Sequence, residues 1–156
     1  MLKNFFKKKE KENLNNKNIL IIALLIHAAK IDENYTENEK TIIKKVIVDL
    51  NKINFNQADK LLKLAEKKER ESNQIIEFTK EIKKYSMEFR LKIIEIIWKI
   101  VYSDGASDNY ESNLIRRICG LLYISDKDNG IVKMKVQNFY HKIWLILLMK
   151  IVSSVN

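Results

Sequence analysis

Proline is absent from the 156 residues and glycine occurs only three times, so no stretch reads as a flexible linker. The chain is most simply one domain, long enough for a real core. A single cysteine, Cys119, excludes an internal disulfide framework and suits a reducing compartment. With only two histidines beside it, no zinc set can be assembled. A His-Glu-x-x-His helix, a phosphate-binding glycine loop and a nucleophile elbow are all missing. No set of base, nucleophile and oxyanion donor can be put together, so no enzyme is expected. Strand signals are missing too: there is no period-two alternation, and no Asn-Gly or Asp-Gly joins two β-rich runs. The fold class is therefore all-α.

Arginine is scarce. The net charge is +9, yet all but four of the 29 basic residues are lysine, the exceptions being Arg70, Arg90, Arg116 and Arg117. Arginine is the usual choice for bidentate recognition of phosphates and bases. The wealth of Lys, Asn and Ile fits the drift of an AT-rich genome better than a selected basic surface. No specific nucleic-acid partner is expected; weak, salt-sensitive adhesion to polyanions is. Hydrophobic residues at 46% against 31% charged describe a folded globular chain.

What the chain does contain is a repeat. Residues Ile22 to Leu50 lie over Ile94 to Leu122 without a gap at an offset of 72, which sets Asp32 against Asp104 and Glu39 against Glu111. Each copy is an apolar helix, an Asp, a short polar turn and a capped second helix. Self-similarity at a fixed offset speaks to architecture before any propensity is counted. The expectation is about seven helices, internally duplicated, with pseudo-twofold symmetry.

Residues 1–18 are polar and Lys-rich, and read as a frayed segment anchored by Leu2, Phe5 and Phe6. The apolar run 19–29 behind this basic lead imitates a secretory signal. However, Lys30 and Asp32 follow at once, and the same element recurs at Ile94. It is read as a core helix. A second helix begins at Thr36, a break falls at 51–56, and third and fourth helices cover roughly 57–71 and 73–84. Ser86 then caps a helix over 87–102 that is apolar on most sides and so should be buried. This helix and the run 19–29 should pack together at the centre. The domain boundaries expected are a basic segment 1–18, a helical domain 19–136 and an apolar tail 137–156. Within the tail, Ile143 to Met149 are seven consecutive apolar residues, too few to span a bilayer. A last helix over the core, an association surface and an interfacial membrane helix all remain open for it.

The candidate site is the pair of acidic turns. Thr36 and Glu39 form T-x-x-E, and Asp108 and Glu111 form D-x-x-E, the spacing of a capping box. On this reading Asp32 and Asp104 close the turns, and each cap contributes about 1 kcal/mol. The same segments, followed by I-R-R-I-C-G-L-L-Y-I-S, resemble the TerB-like family, which includes the tellurite-resistance protein TerB and the N-terminal domain of the DjlA co-chaperone. The family pattern is an apolar helix, A-D-G, a five-residue gap, Glu, and a helix ending near L-G-I or L-x-V-S. Asp104, Gly105 and Glu111 keep it; the first copy has Asp32 and Glu39 but Glu33 in place of the Gly. The resemblance covers residues 19–135. It implies an all-helical bacterial domain without established catalysis, associated with metal-ion or stress-related complexes, often near membranes. It also implies a divalent-cation site, with Asp32, Glu39, Asp104 and Glu111 as oxygen ligands for an ion such as Ca²⁺. Capping is the preferred role for these four residues.

Cys119 aligns with Ile47 on an apolar face and reads as a core thiol. His27 belongs at a helix edge, and Trp98 and Trp144 read as packing residues. Without proline there is no His-Pro-Asp signature, so J-domain stimulation of an Hsp70 is unavailable to the chain. The function expected is a non-enzymatic interaction module, cytoplasmic or peripheral to a membrane. It would present a helical surface to a protein partner, with membrane contact through the N-terminal lysines and the tail. The alternative is a divalent-metal-binding stress protein.

Overall fold

The computed structural model describes residues 1–105 and 109–155, and among these every regular element is a helix. They are α1 (Leu2–Ala29), α2 (Glu37–Asn51), α3 (Phe55–Glu71), α4 (Ile76–Ile82), α5 (Met87–Tyr102), α6 (Asn109–Leu121) and α7 (Asp126–Ser154).

Capping sets most of the boundaries. Thr36 begins α2 with a complete capping box: its Oγ1 accepts from the Glu39 N–H at 3.2 Å, and its own N–H donates to Glu39 Oε2 at 2.8 Å. Asn54 and Gln57 repeat the device at α3, which starts before the expected position because Asn54 is the cap. Ser86 accepts from the Phe89 N–H and opens α5 where the sequence places it. The fourth helix is only 76–82, shorter than the expected 73–84.

The centre is α1 against α5. Ile21 to Ile26, Ala28 and Ala29 of α1 are buried, and so are Ile93, Ile94, Ile97, Trp98, Ile100 and Val101 of α5. Helices α2, α3, α4, α5 and α6 all pack on α1, while α7 packs on α5 and α6. Cys119 is 1% exposed within this core, as expected of a packing thiol. Glu95 of α5 is buried with them. Burial pushes the Glu95 carboxyl up, but hydrogen bonds from Lys99 and Lys135 outweigh it and hold the carboxyl below its ordinary range.

Two expectations fail at the ends of the chain. Residues 2–18 are helical, not frayed: they continue the buried part of α1 outward, and Lys, Glu and Leu are good helix formers. Leu2 is exposed and anchors nothing; the side chains of Phe5 and Phe6 lie outside the described residues. The expected boundaries after 18 and 136 both fall inside helices. At the other end, α7 stays with the body only through its first half. Asn129 accepts from Trp98 Nε1 at 2.9 Å, Gln137 donates to the Tyr102 hydroxyl at 2.6 Å, and the Tyr140 hydroxyl donates to the Lys99 carbonyl at 3.0 Å. Beyond this the helix projects. Trp144 is 61% exposed, so it is not a packing residue, and the tail does not cover the core.

Replacing Ile97 by Ala should cost about 2–5 kcal/mol, because it opens a cavity where α1 and α5 meet. Leu64→Ala, at an exposed position of α3, should stay within about 0.5 kcal/mol. Urea unfolding followed by circular dichroism measures both, and equal losses would contradict this placement of the core.

Candidate functional site

The two acidic turns come within reach of each other's charge. After α1, the Lys30 N–H bonds the Ile26 carbonyl and the Glu33 N–H bonds Lys30. Glu33 then takes a left-handed conformation at φ +62°. Asp32 Oδ1 accepts from the Asn34 N–H at 2.9 Å, an Asx turn that steers the chain toward the Thr36 cap. After α5, the Gly105 N–H bonds the Tyr102 carbonyl and Gly105 sits at φ +104°. A glycine fits that step without strain. Glu33 makes its left-handed step with a side chain, at a cost in strain that a glycine avoids. The expected cap Asp108 lies outside the described residues.

Glu39 is 2% exposed, an unusual depth for a carboxylate. Burial raises its carboxyl above the ordinary value, the bonds from Thr36 pull it back, and the charges of Asp104 and Asp32 push it up. Asp104 is likewise raised, first by partial burial and then by Asp32. Asp32, Glu39 and Asp104 therefore share one negative field. Glu111 is buried in the first turn of α6, where a negative charge complements the helix dipole.

Among the described residues, no group of three or more His, Cys, Asp or Glu side chains is placed to hold an ion. Glu39 Oε2 is occupied by the Thr36 N–H and hydroxyl, and Asp32 Oδ1 by Asn34. What the geometry shows is the capping role at Glu39 and the turn-closing role at Asp32.

A second polar cluster beside this turn has no signal in the sequence. Glu69 of α3 meets Lys30 at 2.7 Å and His27 Nδ1 at 3.1 Å. Burial raises the Glu69 carboxyl, but these two partners more than offset it and leave it lowered. The Tyr35 hydroxyl donates to Glu66, and burial followed by the Glu66 charge raises its pKa strongly. Lys40 lies over the Tyr35 ring, 4.9 Å from its centroid. The partners on α3 are more than thirty residues away along the chain, a distance at which spacing carries no information. The cluster ties α3 to the end of α1. Elsewhere, burial and then the Asp126 charge push the Cys119 thiol up to about 12, so it is no nucleophile at neutral pH. An open groove of about 690 Å³ runs between α5 and α7, lined by Phe89, Leu91, Ile131 and Val132 with Glu95 and Lys135 at its side.

Helices wrapped on an apolar central pair, with two Asp-bearing turns brought together at the ends of that pair, define an all-helical domain of one recognisable kind. The chain belongs to the TerB family: residues 18–133 match the family described as tellurite resistance protein TerB. No curated protein matches the chain, and no solved structure does. The family match stops inside α7, before the apolar block that begins at Ile143.

Because Glu39 and Asp104 have raised folded-state pKa values, the folded chain holds their protons more tightly than the unfolded one. Their contribution to stability therefore falls as pH rises through and just above the ordinary carboxylate range. Asp104→Asn removes one of the repelling charges. It should raise the melting temperature at neutral pH, with the gain disappearing in acid below that range. A variant that melts lower than the parent at neutral pH would contradict the repulsion.

Proposed function

We propose that the chain is a non-enzymatic interaction module whose contact surface is the exposed apolar end of α7. The observation that carries this is the exposure of Trp144, Leu145, Ile146, Leu147, Met149 and Val152 on one projecting helix. Exposed apolar surface of this extent marks a contact site for a macromolecule or a lipid surface. The family domain supplies a rigid body: Asn129, Gln137 and Tyr140 fix the first half of α7 to α5, so the second half is held out from it. No helix among the described residues is long and apolar enough to cross a membrane. The burial and high thiol pKa of Cys119 support binding over nucleophilic catalysis at that residue.

We read the body itself as an internal duplication. Residues separated by the 72-residue offset share local features: Glu33 and Gly105 both have positive φ, Glu39 and Glu111 are both buried, and Ile43 with Ile115, and Ile47 with Cys119, fill the core.

Chemical cross-linking tests the contact surface. The reading predicts adducts of higher mass that disappear in Leu145→Ser/Leu148→Ser, while circular dichroism of the body stays unchanged. Adducts indifferent to those two changes would contradict it.

Divalent-cation binding is the second reading, supported by the shared field of Asp32, Glu39 and Asp104. A ligand that binds only the folded state raises the melting temperature by mass action. Thermal melts with millimolar Ca²⁺, Mg²⁺, Mn²⁺ or Zn²⁺ should then show an upward shift of several degrees with one ion, lost in Asp104→Asn. Flat melts with all four ions would remove this reading and leave the carboxylates as structural groups.

A further inference from the structure

We propose that the outer face of α7 pairs with the same face of a second copy of this chain, as a parallel two-stranded coiled coil. This rests on the reading of α7 as a contact surface and names its partner.

Helix α7 carries two seams. The inner one holds the body: Val136 is 1% exposed, Val132 and Tyr140 pack on the core, and Asn129 bonds Trp98. The outer one has its own register and lies away from the body, except at its start, where Ile131 also lines the groove against α5. Its first set is Ile131, Asn138, Leu145 and Val152, seven residues apart; its second is Met134, His141, Leu148 and Val155, each three residues further on. This is the a and d spacing of a heptad repeat, apolar in its first heptad and again from Leu145 onward and polar between them at Asn138 and His141, and all eight residues are exposed. Six of the eight are apolar. Val136 and Ile143 fall at f, directly opposite the seam, so in a pair the two bodies would lie on the outside and would not obstruct it.

Length and charge fit the same partner. From Ile131 to Val155 the seam runs about 37 Å at 1.5 Å per residue, which meets the three to four heptads that make such a pattern meaningful. In a parallel pair, g of one chain faces e of the other. Trp144 would meet the partner's Met149, while Gln137 stays with the Tyr102 hydroxyl, and no like charges are opposed. Full antiparallel overlap would instead set Lys142 against the partner's Lys142, a repulsive contact. Asn138 occupies a single a position. There it can bond the partner's Asn138, which fixes register and favours two strands. The continuity of Ile131 and Met134 with the apolar end also points to a helix partner, because it extends the seam back along the body. The pair leaves Ile146 and Leu147 on its outside, and a lipid surface is therefore an explicit arm of the test.

The experiment is light scattering behind size exclusion on the full chain across a hundredfold range of concentration, together with a single-cysteine probe. The expected result is a mass twice that of the 18.5 kDa chain, falling to the monomer in Leu145→Asp/Leu148→Asp with the circular dichroism of the body retained. His141→Cys should form an inter-chain disulfide on mild oxidation, since parallel pairing sets like d positions together; Cys119 is buried and stays out of the reaction. A dimer that survives the aspartates, or that gives no disulfide at position 141, overturns the proposal. So does a monomer at every concentration. If that monomer pellets with phosphatidylglycerol vesicles through Leu145 and Leu148, the contact-surface reading stands and only the partner is wrong. If it does not pellet, both fall.

Discussion

The contact between α1 and α5 is the constraint on which the rest of the fold depends. Each helix is apolar over most of its circumference in the contact region, and neither could be stable in water with that surface uncovered. Packing them together covers one side of each. The remaining sides dictate where the amphipathic helices go: α2, α3, α4 and α6 lay their apolar stripes on α1, and α7 lays its inner seam on α5. The acidic turns follow from the same contact, because they are the C-terminal exits of the two central helices. Once the helices pack, Asp32 and Asp104 fall within each other's field, and Glu39 is carried inside by the cap it forms with Thr36.

Much of this was legible in the sequence because it depends on local chemistry. Ser86 and Thr36 announce their helices through a side-chain oxygen three residues ahead of an N–H that needs one. The apolar breadth of 19–29 and 87–102 identifies the central pair without any tertiary information, and the register of Cys119 with Ile47 places the thiol in the core. The family was legible as well, from Asp104, Gly105 and Glu111 in the spacing its pattern requires. The third helix starts two residues before the expected position, because Asn54, which by composition belongs to a break, is its cap.

The rest was not legible because it depends on partners distant in sequence or on geometry. Glu69 and Glu66 reach Lys30, His27 and Tyr35 only after α3 has folded onto α1. The lysine-rich start reads as frayed by composition, yet it propagates as helix from a buried nucleus, where each added residue costs far less than starting a turn anew. At the acidic turns the sequence shows four carboxylates but not which oxygens are already engaged. Composition likewise cannot tell a tail that covers a core from one that leaves it. Only the position of Tyr140 against the Lys99 carbonyl shows where α7 departs from the body.

The departure of α7 gives the molecule two parts of different character. Residues 18–133, the span of the family match, form a body whose hydrogen bonds and ion pairs are internally consistent. The end of α7 exposes one large apolar side chain after another, and a projecting helix of that length gains little from its own backbone bonds. On the proposed reading its stability comes from the partner that covers it. Amide hydrogen exchange across residues 143–155 measures this directly. The account predicts protection comparable to residues 129–140 when the contact surface is covered, and its loss in Leu145→Asp/Leu148→Asp. Exchange at the rate of an unprotected peptide at every concentration in the unaltered chain, with and without vesicles, would contradict the claim that α7 is a contact surface.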